Sequence, residues 1–250
     1  MKTSFFRCAA LACCSLFVHL AAAQDDPQAL VDKAIAAHGG AEKIARMNRV
    51  HSRAEGTIDV LPGQPAMPFV GESWRMDGDS KMTITIRVQG IKMVVTDAVH
   101  GDTQWRQLQG RTQELSKEEV AEIQESRYVD RLAKLSFLRD DAIELTTLAE
   151  SKIGDKPALG ILAKSQGRRD VKLYFDKESG LLAKVEHPAL DLLSGKEVAE
   201  ELVLSDYQDK DGLKYAMRSA LYRDGKKIMD GKVTELKFVD KLDQAIFARP

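Results

Sequence analysis

"VKLYFDKESGLLAKVEHP", residues 171–188, reads as two short strands clasped around a turn. Val171, Leu173 and Phe175 alternate with Lys172, Tyr174 and Asp176 on the way in. Leu181, Ala183 and Val185 alternate with Leu182, Lys184 and Glu186 on the way out. Alternation of period two marks a strand with one buried and one wetted face. The hairpin therefore sets two questions: how many such strands the chain builds, and what fills the apolar side of their sheet.

The same rhythm extends in both directions. Strands are expected from near Ile143 to Phe238, with turns at Gly154-Asp155, Gln166-Gly167, Ser179-Gly180, Asp211-Gly212 and Asp224-Gly225. Asp-Gly pairs suit tight hairpins because both central residues tolerate positive φ. Upstream, Thr57–Val60 runs into the loop Pro62–Pro65, Phe69–Met76 returns, and Asp77-Gly78-Asp79 turns again. The clearest strand follows: Met82, Ile84, Ile86 and Val88 point one way, Lys81, Thr83, Thr85 and Arg87 the other. Gln89-Gly90, His100-Gly101-Asp102 and Gln109-Gly110 then recur at intervals of roughly ten residues, the spacing of an all-β meander, sandwich or barrel.

Two helical stretches interrupt the strands. Asp26 as N-cap with Pro27 in the first turn predicts a helix whose buried face is Leu30, Val31, Ala34 and Ile35, ended by Gly39-Gly40. A short helix over Ala41–Met47 follows. Ser116-Lys117-Glu118-Glu119 is a capping box, and Val120, Ile123, Arg127, Leu132 and Leu135 continue at helical spacing. This predicts a helical insertion over about 116–137, with Glu118, Glu119, Glu122, Glu125, Asp130 and Arg131 on its outer face. No Pro-, Gly- or Ser-rich linker divides the chain, so residues 24–250 are expected to form one domain.

Residues 1–23 read as a signal peptide. Lys2 and Arg7 supply the basic start, Ala9–Leu20 an apolar run of about a dozen residues, and Ala21-Ala22-Ala23 the cleavage site. Cys8, Cys13 and Cys14 all lie within it, so the mature chain is expected to have no thiol and no disulfide. Acylation at Cys13 is the competing reading, but the apolar run before it is only about five residues, short for a signal segment. A soluble periplasmic protein, not one anchored at Cys13, is expected. The 250-residue chain carries a net charge of −1, and loss of Lys2 and Arg7 brings it to about −3. That balance argues against nucleic acid as a partner.

Catalytic and metal motifs are missing from the sequence. His38, His51, His100 and His187 show no metal-ligand spacing. Asp209-Lys210-Asp211-Gly212 and Asp77-Gly78-Asp79 lack the terminal glutamate of a calcium loop and read as hairpin turns. Glu197, Glu200 and Glu201 read as a solvated face beside Lys196. There is no G-x-S-x-G elbow, P-loop or dinucleotide fingerprint. The expectation is a protein that is not an enzyme and uses no cofactor or metal.

Three stretches together carry a resemblance. They are Ala37-His38-Gly39-Gly40 before the strands, the hairpin Leu173–Leu182, and Leu204-Ser205-Asp206-Tyr207 with Asp211–Met217 and the ending Asp243–Pro250. In this order they resemble the LolA/LolB-like superfamily of lipoprotein and lipid carriers. The resemblance implies a mainly β, α+β fold: an incomplete antiparallel β-barrel of about eleven strands with helices covering its open side. It further implies acyl chains held between the concave sheet and that helical cover. The chain is longer than LolA, has no counterpart to LolA's lid-closing basic residue and lacks a LolB-type lipobox. A carrier of a lipid, an acylated protein or another apolar ligand, with an envelope receptor as a further partner, is thus implied more directly than lipoprotein sorting.

Met82, Ile84, Ile86, Val88, Met93, Val95, Leu173 and Phe175 are then the candidate ligand-lining residues, with Trp74 and Trp105 as candidate wall positions. Methionine suits such a wall because its flexible thioether adapts to varied apolar shapes. The alternative is that these residues form a filled core and the protein is an interaction module of the envelope.

Overall fold

The computed structural model describes residues 26–59, 63, 65–192 and 194–250. The expected signal peptide, its cleavage site and the three cysteines lie outside the described residues. Asp26 caps α1 (Pro27–Ala37), its carboxylate accepting the Gln28 amide at 3.1 Å, and Leu30, Val31, Ala34 and Ile35 form the buried face. The helix ends at His38, whose ring Nδ1 lies 2.8 Å from the Ala34 carbonyl oxygen and donates to it. Gly39 then turns with φ +106°, and a Cβ there would sit 2.0 Å from the Gly212 carbonyl oxygen. Only glycine lets the chain pass that close. The short α2 (Ala41–Ala45) and a 3-10 turn, Arg46–Asn48, lead into the sheet.

Thirteen antiparallel strands form one sheet. They are β1 (Arg49–Ile58), β2 (Met67–Met76), β3 (Asp79–Val88), β4 (Ile91–His100), β5 (Thr103–Leu108), β6 (Arg111–Gln113), β7 (Glu144–Ile153), β8 (Lys156–Lys164), β9 (Val171–Asp176), β10 (Leu182–Asp191), β11 (Lys196–Lys210), β12 (Leu213–Arg223) and β13 (Lys226–Phe238). Between β6 and β7 stand α3 (Lys117–Ala133) and a 3-10 turn, Ser136–Arg139. The spatial order is β6-β5-β4-β3-β2-β1-β13-β12-β11-β10-β9-β8-β7. Two meanders thus meet where the first strand pairs with the last, and β6 and β7 remain as edges. The sheet is an open one, as expected, but has thirteen strands in place of about eleven. The turn reading passed over Ser194-Gly195, which separates β10 from β11 without an Asp-Gly or Asn-Gly pair; Gly195 takes φ +68° there.

The opening hairpin is β9–β10, and its turn is stapled by Asp176. The carboxylate accepts the amide and hydroxyl of Ser179, both at 2.7 Å, and these bonds hold its pKa below the usual value. One detail of the alternation differs from expectation. The register shifts between Leu182 and Lys184, a bulge that puts Leu182 and Val185 inside, while Leu181 and Ala183 are only half-buried. On the wetted face Lys172 and Lys184 both reach Glu186, at 2.6 and 3.0 Å.

The inner faces of β7–β10 are covered by α1, α2, the end of α3 and the turn after it. Val31, Leu132, Leu135 and Leu138 pack there on Ile161, Val171, Leu173 and Phe175. The capping box at Ser116 forms as expected, but α3 stops at Ala133 and does not reach Phe137. Leu135 takes φ +62°, a strained value for a non-glycine residue, and this reversal drives both Leu135 and Leu138 into the core. Truncating the ring at the centre, Phe175→Ala, is expected to cost about 3–5 kcal/mol in a urea denaturation series.

His38 supplies a pH dependence. Burial lowers its pKa, and the bond to the Ala34 carbonyl only partly opposes that shift. The unfolded chain takes up this proton near pH 6.5, whereas the native chain resists it. Stability is therefore complete above about pH 6.5 and falls as the pH drops toward the depressed folded value. Thermal melts between pH 7 and 5 should show this loss, and His38→Gln should flatten it.

Candidate functional site

The strands β2–β5 pair without a register shift, so their inward side chains stand in rows across the sheet. Arg75, Ser80 and Val99 form the first row, and Ser73, Met82, Asp97 and Arg106 the second. Gly71, Ile84, Val95 and Leu108 make the third, Phe69, Ile86 and Met93 the fourth, and Met67, Val88 and Ile91 the fifth. Two polar rows thus give way to three apolar ones along a single face. Met67, Phe69 and Ile86 are buried against Ile58, Ile84, Val88, Met93 and Met229. The Phe69 ring lies over two glycines: a Cβ at Gly231 would be 3.2 Å from its Cζ, and one at Gly71 3.6 Å from its Cε2.

A cleft of about 930 Å³ opens between this face and α3. Ser73, Arg75, Met82, Asp97 and Arg106 form its floor, Glu122, Ile123, Ser126 and Asp130 its roof, and Leu192, Glu200 and Arg223 its far wall. Met82 is 43% exposed, and the neighbouring Leu108 and Ile91 are 41% and 65% exposed. Large apolar side chains are therefore left open on the inner face, where a folded sheet ordinarily buries them.

Glu118 and Arg131 of α3 are exposed as the sequence suggested, but Glu119, Glu122, Glu125 and Asp130 turn toward cationic partners. Glu119 accepts from Arg106 at 2.8 Å, and Arg106 also holds Asp97 at 2.6 Å. Glu122 is buried and takes Arg169 in a two-pronged contact at 2.8 and 2.9 Å. Glu125 pairs with Arg168 at 2.8 Å, and Asp130 lies 3.5 Å from Arg75 and 2.8 Å from Lys134. Arg127 donates to the Gly78 carbonyl at 3.0 Å. Burial opposes ionisation of Asp130, but the charges of Arg75 and Lys134 outweigh it and hold the carboxyl below the usual range. The helix lies on the sheet through acids and arginines over the cleft and through Val129 and Leu132 beyond it.

The candidate lining residues separate into three groups. Met82 lies in the floor of the cleft, and Ile84, Ile86, Val88, Met93 and Val95 share its face in the apolar rows beyond, where Ile86 is buried. Leu173 and Phe175 lie on the same face but have no exposure, so at that end the space is filled by protein. Trp74 and Trp105 stand on the convex face. Trp74 pairs in register with Lys81 and stacks on His51 at 5.2 Å, and Trp105 sits opposite Ala98. The Trp105 indole donates to the Phe247 carbonyl at 2.9 Å under the C-terminal turn Gln244–Ile246. Both tryptophans are one residue out of phase with the cleft floor, Trp74 from Ser73 and Arg75, Trp105 from Arg106. Counting that parity from Met82 through each hairpin would have placed them outside. Arg75, Arg106 and Asp130 are the site residues that the sequence reading missed, because isolated charges in strands and helices carry no motif.

No protein-family model matches the chain, and no curated protein matches its sequence. Solved structures do match in fold. A LolA superfamily protein from Nitrosomonas europaea superimposes with a TM-score of 0.56 at 13% identity, over 89% of this chain and 97% of that one. A domain assigned to outer membrane lipoprotein sorting from Vibrio parahaemolyticus gives 0.52 at 13% identity, over 87% and 97%. A DUF1329 family protein from Desulfovibrio piger gives 0.53 at 15% identity, over 89% and 98%. The chain therefore has the LolA-like fold over most of its length.

The Arg106–Glu119, Arg168–Glu125 and Arg75–Asp130 pairs are partly exposed, so each is worth only about 0.2–1 kcal/mol. Replacing both Glu119 and Glu125 by glutamine should leave the fold intact and speed amide exchange within 117–133. Exchange in 27–37, held by apolar packing, should not change.

Proposed function

We propose that the protein is a non-catalytic carrier or binding protein for a lipid, a lipoprotein acyl chain or another apolar ligand, held on the concave face of β2–β5 beneath α3. The observation that carries this reading is the exposure of Met82, Leu108 and Ile91 on the inner face, beside a cleft of about 930 Å³. From Met82 through the apolar rows to Val88 is six residue steps, or about 20 Å of strand. A hydrocarbon chain laid along them gains roughly 0.8 kcal/mol per buried methylene, offset in part by its lost freedom of motion. The filled end at Leu173 and Phe175 confines the site to the other meander.

The fold shared with LolA superfamily structures supports the same reading, as does the lipoprotein-sorting assignment of the Vibrio parahaemolyticus domain. With residues 1–23 read as a signal peptide, the carrier works in the periplasm, and handover to an envelope receptor requires α3 to lift. Among the described residues no helix is long and apolar enough to cross a membrane.

Ile84→Asp tests the site. The side chain is half-buried and its row borders the cleft, so water can reach the new carboxylate and the fold should survive. A charge in the path of the chain should still weaken uptake of a pyrene-labelled fatty acid by about tenfold or more. A wild-type protein that takes up no probe would sink the carrier reading, as would an Ile84→Asp variant that binds it unchanged.

A further inference from the structure

The concave face changes chemistry at one line, between the row of Met82 and the row of Ile84. Beyond it lie the three apolar rows; before it the floor is charged, with Arg75 and Arg106 rising from β2 and β5 among acids such as Asp97. The cations differ in how firmly they are held. Arg106 is fixed by Asp97 and Glu119 at 2.6 and 2.8 Å, and Arg223 by Glu200 at 2.9 Å. Arg75 reaches Asp130 only at 3.5 Å, and Asp130 has a second, shorter partner in Lys134 at 2.8 Å. A charge-assisted hydrogen bond ordinarily closes to about 2.7–2.9 Å. Of the two arginines that rise from the sheet floor, Arg75 is thus the more open to exchange, and its acid can leave without losing a counter-charge.

We propose that the cleft takes an amphiphile with a single anionic head, which replaces Asp130 on Arg75 while its chain runs past Met82 and Ile84 toward the exposed Leu108. The inference rests on the carrier reading and narrows its ligand class. Asp130 then acts as a stand-in for the head while the cleft is empty, and remains with Lys134 one helical turn away when the head enters. A planar guanidinium offers paired donors to carboxylate and phosphate alike, so the head is either. Loading also removes one anchor of α3, near its C-terminal end, and leaves those of Glu119 and Glu122 in place.

The test is displacement of the neutral fluorophore N-phenyl-1-naphthylamine at pH 8 by palmitate, hexadecyl phosphate and hexadecanol, which share one chain length. At least one of the two anions should displace the fluorophore from the wild type at concentrations about tenfold below hexadecanol, as expected for a charge-assisted pair in a partly enclosed site. Which anion is preferred identifies the head. Arg75→Gln should erase the preference and leave the hexadecanol midpoint unchanged, and Asp130→Asn should strengthen it by removing the competing acid. Equal displacement by all three competitors in the wild type would overturn the inference and leave the carrier reading standing. So would an Arg75→Gln variant that weakens hexadecanol as much as the anions. A wild type that binds neither fluorophore nor competitors would overturn both. Should Arg75→Gln fail to fold, the wild-type ranking and Asp130→Asn still decide the matter.

Discussion

An open sheet of thirteen strands has one face that must be hidden from water, and the arrangement of this protein follows from how that is done. The two meanders meet at β1 and β13, so one continuous inner face spans the whole width. Over β7–β10 the cover is apolar: α1, α2 and the end of α3 fill the space until Leu173 and Phe175 have no exposure. Over β2–β5 the cover is polar, with α3 bound through acids and arginines that hold it away from Met82. Apolar packing closes one half of the face, and ion pairs leave a cleft in the other.

The two kinds of cover differ in what they resist. A buried ring such as Phe175 resists opening by about 3–5 kcal/mol, because its loss leaves a cavity. Partly exposed ion pairs such as Arg75–Asp130 each contribute under about 1 kcal/mol and can trade partners without exposing apolar surface. The helix over the cleft is therefore the element best able to move while the rest of the fold remains in place. That division suits a protein that must hold an apolar chain and later release it. Gly71 and Gly231 leave room for the Phe69 ring, which is buried with Met67 and Ile86 in a separate small cluster.

Much of this was legible in the sequence. The Asp26 cap, the face of α1, the capping box at Ser116 and the alternation of Met82 to Val88 are local signals, decided by neighbours three or four residues away, and the structure repeats them. The count of about eleven strands was what the family resemblance implied, and this chain builds thirteen. The bulge at Ala183 and the reversal at Leu135 could not be read at all, since each is imposed by the core it serves. The direction of Glu119, Glu122, Glu125 and Asp130 failed for a related reason, while Glu118 and Arg131 are exposed as expected. Acids on a helix are ordinarily solvated, and only pairing across the chain brings Arg106, Arg168 and Arg169 beneath them. Of the eight candidate apolar lining residues only Met82 borders the cleft and five more share its face, whereas strand parity puts the two tryptophans on the other side.

Photo-crosslinking tests the central claim most directly: a saturated chain carrying a diazirine is equilibrated with the intact protein, irradiated, and the modified peptides are mapped. Label confined to the stretches around Met82–Val88 and Met93–Val95, and competed away by unlabelled chain, is the predicted result. Label around Trp105 and Phe247 on the convex face, or no competable label at all, would contradict the account.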